Sequence, residues 1–166
     1  KNKMMKNMLS HEVVEVFVED EVFKEYSSML AVSSPVFDAM LQSSMVEDNT
    51  KKINLVQKSK EEYKLLRRYF QPRAISNANL TIETVNILIP WFHEYQMTPM
   101  LQECEDFLLD ATISTEEITK CLLQAYHYDM KRQYARCVEL LAEHLINIDL
   151  GVFSQESTVP FDILVA

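Results

Sequence analysis

The sequence predicts an α+β fold dominated by helices: a small three-stranded sheet near the N-terminus, a helical core, and an α-helical hairpin after it. Three observations carry this expectation. Runs with strand character cluster in the first third, at 13–18, from Val22 onward, and at 53–55. Apolar residues spaced i, i+3, i+4, i+7 dominate the remainder. A single glycine, Gly151, serves all 166 residues. Sandwiches and barrels consume glycine in their hairpins, so a many-turned β-fold is disfavoured.

The elements follow in order. Residues 1–11 form an N-terminal extension in which Met4, Met5, Met8 and Leu9 line one side of a short helix. Val13-Val14-Glu15-Val16-Phe17-Val18 reads as a strand, Glu19-Asp20-Glu21 as a polar turn, and Val22-Phe23 as the start of the second arm of a hairpin. Ser27 is the expected cap of a short helix carrying Met29, Leu30 and Val32. Ser34-Pro35 then places a cap residue before a proline. Proline suits the first helical position, where an N–H would lack a partner anyway. That helix aligns Val36, Phe37, Met40 and Leu41. Ile53 and Leu55 alternate with polar neighbours as a third strand.

Ser59 and Glu62 form a capping-box pattern ahead of Tyr63, Leu66, Tyr69 and Phe70, and Pro72 ends that helix. Residues 71–80 are a polar connection. Thr81 is the expected cap for Val85, Leu88, Ile89 and Phe92, with a kink or break expected at Pro90. Thr98-Pro99 opens a helix with Leu101, Cys104 and Leu108 inward. A second capping-box pattern, Ser114 and Glu117, precedes Ile118, Cys121, Leu122 and Ala125. The last helix starts near Lys131 and turns Tyr134, Cys137, Val138, Leu141 and Leu145 inward. The periodicity fades after Gly151. The expected organisation is an extension (1–11), a main domain (12–112), a helical pair (113–150) and a C-terminal segment (151–166).

Composition narrows the function. Apolar residues make up 48% of the chain, which is globular. A net charge of −9 repels phosphate backbones, which argues against DNA or RNA as partners. No stretch has the length of a membrane span, and membranes are not expected as partners. Cys104, Cys121 and Cys137 are odd in number and widely spaced, and read as reduced core thiols of a cytoplasmic or nuclear protein. The chain begins at Lys1 and stops abruptly at Ala166, so it is expected to be a piece of a longer protein.

Catalytic signals do not converge. His93-Glu94 begins like the zinc motif H-E-x-x-H, but the second histidine position holds Met97. The four histidines, His11, His93, His127 and His144, lie far apart, and no C-x-x-C pair or nucleophile elbow occurs. Acidic pairs at Glu61-Glu62 and Glu116-Glu117 fall in first helical turns, where the dipole favours negative charge. The expectation is no enzyme, no cofactor and no metal.

From Val22 to Phe37 the chain reads VFKEYSSMLAVSSPVF, a strand leading into a helix and an S-P-x-F turn. FDAMLQSSMVE, KINL, EEYKLLRRYF, ETVNILIPWFHEYQM and TPMLQECEDFLL follow in order. Over roughly 12–110 this series resembles the BTB/POZ family. ISTEEITKCLLQAYHYDMKRQYARCVELLAEHL then resembles the helix pair, or 3-box, that opens a BACK region. The resemblance implies a helical core with a small sheet, a homodimer, and in many members a substrate adaptor for type 3 cullin-RING ubiquitin ligases. Such adaptors contact the cullin through a hydrophobic-x-Glu motif after the S-P-x-F helix; the matching positions are Met45, Val46 and Glu47.

Three departures bear on that role. Tyr26-Ser27 stands where His-Lys is usual, and Glu12 or its neighbours where an aspartate is typical. In the repressor branch those charges form a pocket, so co-repressor binding is disfavoured. Gln71-Pro72-Arg73 replaces the usual aromatic-Thr-Gly. The alternative reading is a homo-oligomerisation scaffold without cullin binding. Its candidate dimer residues are Met8, Leu9, Met29 and Val32, which are apolar, early, and on short elements.

Overall fold

A computed structural model describes residues 12–44, 52–70 and 80–144 of the chain. These residues form strands β1 (Val13–Val18) and β2 (Glu21–Tyr26), helices α1 (Ser27–Ser33) and α2 (Pro35–Ser44), and strand β3 (Lys52–Leu55). Helix α3 (Lys60–Leu66) follows with a 3-10 turn, Arg67–Tyr69, and then α4 (Ile82–Glu94), α5 (Thr98–Asp110), α6 (Ile118–His127) and α7 (Lys131–His144). This is the predicted helix-dominated α+β fold with its three-stranded sheet and closing helical hairpin. The chain divides into two compact units after Leu101, inside α5.

In the first unit the sheet order is β2-β1-β3, with β1 antiparallel to β2 and parallel to β3. Alternation gives it two faces. Val14, Val16, Val18, Phe23, Ile53 and Leu55 are buried on one. The hairpin turns at Glu19-Asp20, and Glu19 adopts a left-handed backbone (φ 52). The turn reaches α3: the Lys60 N–H donates to Glu19 Oε2 at 3.3 Å, and Lys60 Nζ pairs with Asp20 Oδ1 at 2.7 Å.

The interior of this unit is a ring of aromatics. Tyr63 meets Trp91 (centroids 6.2 Å apart), Trp91 stacks on Tyr95 (5.4 Å), Tyr95 on Phe37 (4.5 Å), Phe37 meets Phe70 edge-on (5.8 Å), and Phe70 returns to Tyr63 (6.1 Å). Phe23 joins the ring to the sheet, 4.8 Å from Tyr63. Such pairs contribute ~0.5–1.5 kcal/mol each beyond their burial.

Helix α4 ends in a Schellman cap: Met97 N–H donates to Phe92 O (2.7 Å) and Gln96 N–H to His93 O (3.1 Å). The left-handed position, usually glycine, is Gln96 (φ 53). The buried Met97 sits where the motif places its apolar contact, which holds the strained residue in place.

The second unit has an aliphatic interior. Ile118, Leu122, Cys137 and Leu141 form its buried cluster, flanked by Ile113, Cys121, Leu123, Tyr134, Val138 and Leu140. Helix α6 ends in another Schellman cap, Met130 N–H to Ala125 O and Asp129 N–H to Tyr126 O, with Asp129 left-handed (φ 54).

Charged side chains exchange caps between α5 and α7. The buried Glu105 accepts from the Arg132 N–H (2.8 Å) and the Gln133 N–H (3.1 Å), two donors that the first turn of α7 leaves without helical partners. Arg136 donates to Leu108 O and Ala111 O, both at 2.8 Å, at the end of α5. Arg132 adds an ion pair to Glu105 (2.9 Å) and one to Asp106 (2.5 Å).

Four local expectations are corrected. Ser27 is the first helical residue and is buried; the cap position of α1 is Tyr26. Ser59 accepts from Glu62 N–H, but the return arm is not made, because the Glu62 carboxylate accepts from the Trp91 indole N–H at 2.7 Å. Of the kink or break expected at Pro90, the break does not occur: helix α4 continues through Pro90 from Ile82 to Glu94. An interior proline costs about 3 kcal/mol, while each fully buried large apolar side chain returns ~1.5–3 kcal/mol; Leu88, Ile89, Trp91 and Phe92 flank Pro90 and are all buried.

At Ser114 the box closes a turn ahead of α6 rather than its first turn. Ser114 N–H and Oγ both donate to the Glu117 carboxylate, and Glu116-Glu117 precede the helix. Thr81 caps α4 as expected, in a reciprocal box with Thr84.

Candidate interaction surface

The S-P-x-F turn is legible atom by atom. Ser34 Oγ accepts from Phe37 N–H (3.1 Å), capping α2, and donates to Tyr95 O (2.6 Å) at the end of α4. Pro35 takes the first helical position. Phe37 enters the aromatic ring and is fully buried. One short motif therefore fixes the corner between α1 and α2 against α4.

That corner presents part of α1 to solvent. Leu30 is the anchor, fully buried. Met29 is half-buried, and Val32 is 62% exposed. Of the predicted dimer residues these two lie on one short helix. Met8, Leu9, Met45, Val46, Glu47 and the Gln71-Pro72-Arg73 stretch lie outside the described residues.

A second exposed area, which the residue-by-residue reading passed over, is the outer face of the sheet. Val13 and Tyr26 are each 50% exposed and are register partners across β1–β2. Val22, 47% exposed, faces the half-buried Phe17. Between these rows Lys24 faces Glu15, and Lys52 lies beyond it on β3. Strand alternation was the signal for this face: odd positions of β1 and even positions of β2 point the same way.

The inner face holds Glu21, paired with Lys64 at 2.8 Å, and, deeper, Glu25, paired with Arg67 at 2.8 Å. Burial raises the Glu25 carboxyl above the ordinary value, against the pull of Arg67. Burial likewise raises the Tyr63 phenol, and pushes Tyr95, Cys104 and Cys137 up to about 12. These two phenols and two thiols stay protonated at neutral pH and belong to the packing. His93, His127 and His144 are exposed on three different helices, and Met97, at the failed zinc position, is fully buried. No described helix is long and apolar enough to cross a membrane. Among the described residues the arrangement offers apolar surface of the kind that meets protein partners.

Residues 2–112 match the BTB/POZ domain family. The chain belongs to that family. Its BTB domain is a protein–protein interaction module, and the S-P-x-F corner, the sheet and the α1–α4 core are the parts through which this sequence builds it. The match ends at residue 112, so α6 and α7 lie beyond it.

Proposed function

We propose that this BTB domain is the cullin-binding module of a substrate adaptor for a type 3 cullin-RING ubiquitin ligase. The observation that carries the reading is Met45-Val46-Glu47, a hydrophobic-x-Glu run directly after the S-P-x-F helix. A methionine adapts to an irregular apolar pocket, and a carboxylate fixes orientation through a charge-assisted hydrogen bond. The α6–α7 hairpin is read as the opening of a BACK region, and a substrate-binding domain would lie elsewhere in a longer protein.

The test is competition. Wild-type chain should displace a labelled type 3 cullin N-terminal domain from a known adaptor, and Met45→Ala plus Glu47→Ala should abolish displacement. Equal displacement by both proteins removes the motif from the account.

The exposed Val32 and half-buried Met29 favour a second reading, a homotypic assembly domain that does not bind cullin. It predicts a dimer by light scattering that Val32→Glu converts to monomer. A strict wild-type monomer at high micromolar concentration rules it out.

A further inference from the structure

The two arms of the closing hairpin carry one cysteine each, at the same level. Helix α6 ends at His127 and α7 begins at Lys131. Cys121 lies six residues before His127, and Cys137 six residues after Lys131. At about 1.5 Å of rise per residue, each stands roughly 9 Å along its axis from the connection. Both also lie on the seam between the helices. Cys137 is fully buried in the cluster with Ile118, Leu122 and Leu141, and Cys121 packs against that cluster. Burial raises the Cys137 thiol most, and the Cys121 thiol adds to it, so the two groups are within electrostatic reach. Packed helices run about 8–10 Å apart, with Cα atoms about 2.3 Å off each axis. Level residues on facing sides therefore have Cα atoms roughly 4–6 Å apart, and a disulfide spans about 4.4–6.8 Å.

The three thiols differ in access. Cys121 is half-buried, while Cys104, on α5, and Cys137 are buried. An oxidant therefore meets Cys121 first. Burial and the Glu117 charge raise the Cys121 thiol, and Arg136 opposes them. A thiol held protonated reacts slowly, so the reduced pair is the resting state and conversion takes sustained oxidant. With a hydroperoxide, the Cys121 sulfur takes one oxygen as the O–O bond breaks, giving a sulfenic acid and an alcohol or water. The Cys137 sulfur then attacks the sulfenic sulfur. The S–S bond forms, the S–O bond breaks, and the hydroxyl leaves as water with the Cys137 proton. The two thiols lose two electrons, and the hydroperoxide gains them.

We propose that Cys121 and Cys137 form a reversible modification site, at which a hydroperoxide converts α6 and α7 from a packed pair into a covalently closed hairpin. The bond closes a short loop around the connection. Such a closure removes open conformations from the unfolded ensemble, so the oxidised hairpin opens less often. The effect is confined to the hairpin and does not depend on cullin binding.

The experiment treats the whole folded 166-residue chain with hydrogen peroxide, blocks the remaining thiols, and maps linkages by mass spectrometry without reduction. The chain should lose two of its three thiols, with Cys121 and Cys137 joined in a linked peptide that is lighter by two hydrogens. Dithiothreitol should restore all three. Amide exchange in α6 and α7 should slow by roughly tenfold or more on oxidation, and that in β1 should not change. In urea the same treatment should also give pairs with Cys104, because unfolding removes the register. Cys104→Ser should oxidise as the wild type does, and Cys121→Ser should not form the linkage. The wild-type linkage map needs no variant, so a substitution that fails to fold leaves the test intact. The proposal is overturned if the folded wild type keeps all three thiols, if its linkages include Cys104 or join two chains, if Cys121 stops at a sulfinic acid, or if exchange in α6 and α7 is unchanged by oxidation.

Discussion

The described residues up to Leu101 enclose an aromatic interior, while residues 102–144 enclose an aliphatic one clasped by charge. In the first unit Phe37, Phe70, Tyr63, Trp91 and Tyr95 touch around a ring, drawing α2, α3 and α4 together across long sequence separations. In the second, a few aliphatic residues and Cys137 join α6 to α7, which are neighbours in sequence. Glu105 and Arg136 then close the open ends of α5 and α7. The difference lies in what a small unit has available. A short hairpin buries too little apolar surface to be held by that alone. Hydrogen bonds involving charged groups, at about 1.5–3 kcal/mol each, make up part of the shortfall.

The comparison can be broken most severely at Phe37. Phe37→Ala opens the aromatic ring and should cost about 3–5 kcal/mol in urea unfolding. If the loss stays below about 1 kcal/mol, the ring is not what holds the first unit. Glu105→Ala tests the second unit. It leaves two N–H groups of α7 without acceptors and should cost about 2–3 kcal/mol. Amide exchange should quicken in α7 and stay unchanged in β1. Uniform acceleration along the chain would argue against two separately held units.

The pH response should differ in sign. Burial raises the Glu25 carboxyl, so the native state holds that proton more tightly than the unfolded chain. Its contribution is greatest below the ordinary value of 4.5 and is lost as pH rises through the raised value. Glu117 is held low by hydrogen bonds from Ser114, so its contribution is present above 4.5 and is lost as pH falls. Glu25→Gln should therefore match or exceed the wild type in urea midpoint at neutral pH. A clear loss there would mean that the Arg67 pair outweighs desolvation. The smallest effects belong to the two Schellman caps: Gln96→Gly and Asp129→Gly relieve left-handed strain and should each raise stability by about 0.5–1 kcal/mol.

Much of this was legible in the sequence. Strand alternation and helical periodicity located the elements. The run from Val22 to Phe37 carried the family resemblance. The break offered at Pro90 does not occur, because local propensity is blind to burial on both sides of a proline. The Ser59–Glu62 box was half right, since a capping pattern cannot show that Trp91, 29 residues on from Glu62, competes for the same carboxylate. The role of Glu105 went unread although a signal existed. It lies on the apolar stripe of Leu101, Cys104 and Leu108, and a charge in such a stripe calls for a buried partner. Glu25 gave the same warning on the inner face of β2. Of the solvent-facing apolar residues, Met29 and Val32 were named from the sequence, whereas the outer sheet face emerged only once the register paired Lys24 with Glu15 and Tyr26 with Val13.

The central functional reading is tested most directly by isothermal titration of a type 3 cullin N-terminal domain into the wild-type chain. The account predicts saturable heat with one cullin domain bound per chain. Absence of binding at tens of micromolar, from a chain shown to be folded, would contradict it and leave homotypic assembly as the function of this BTB domain.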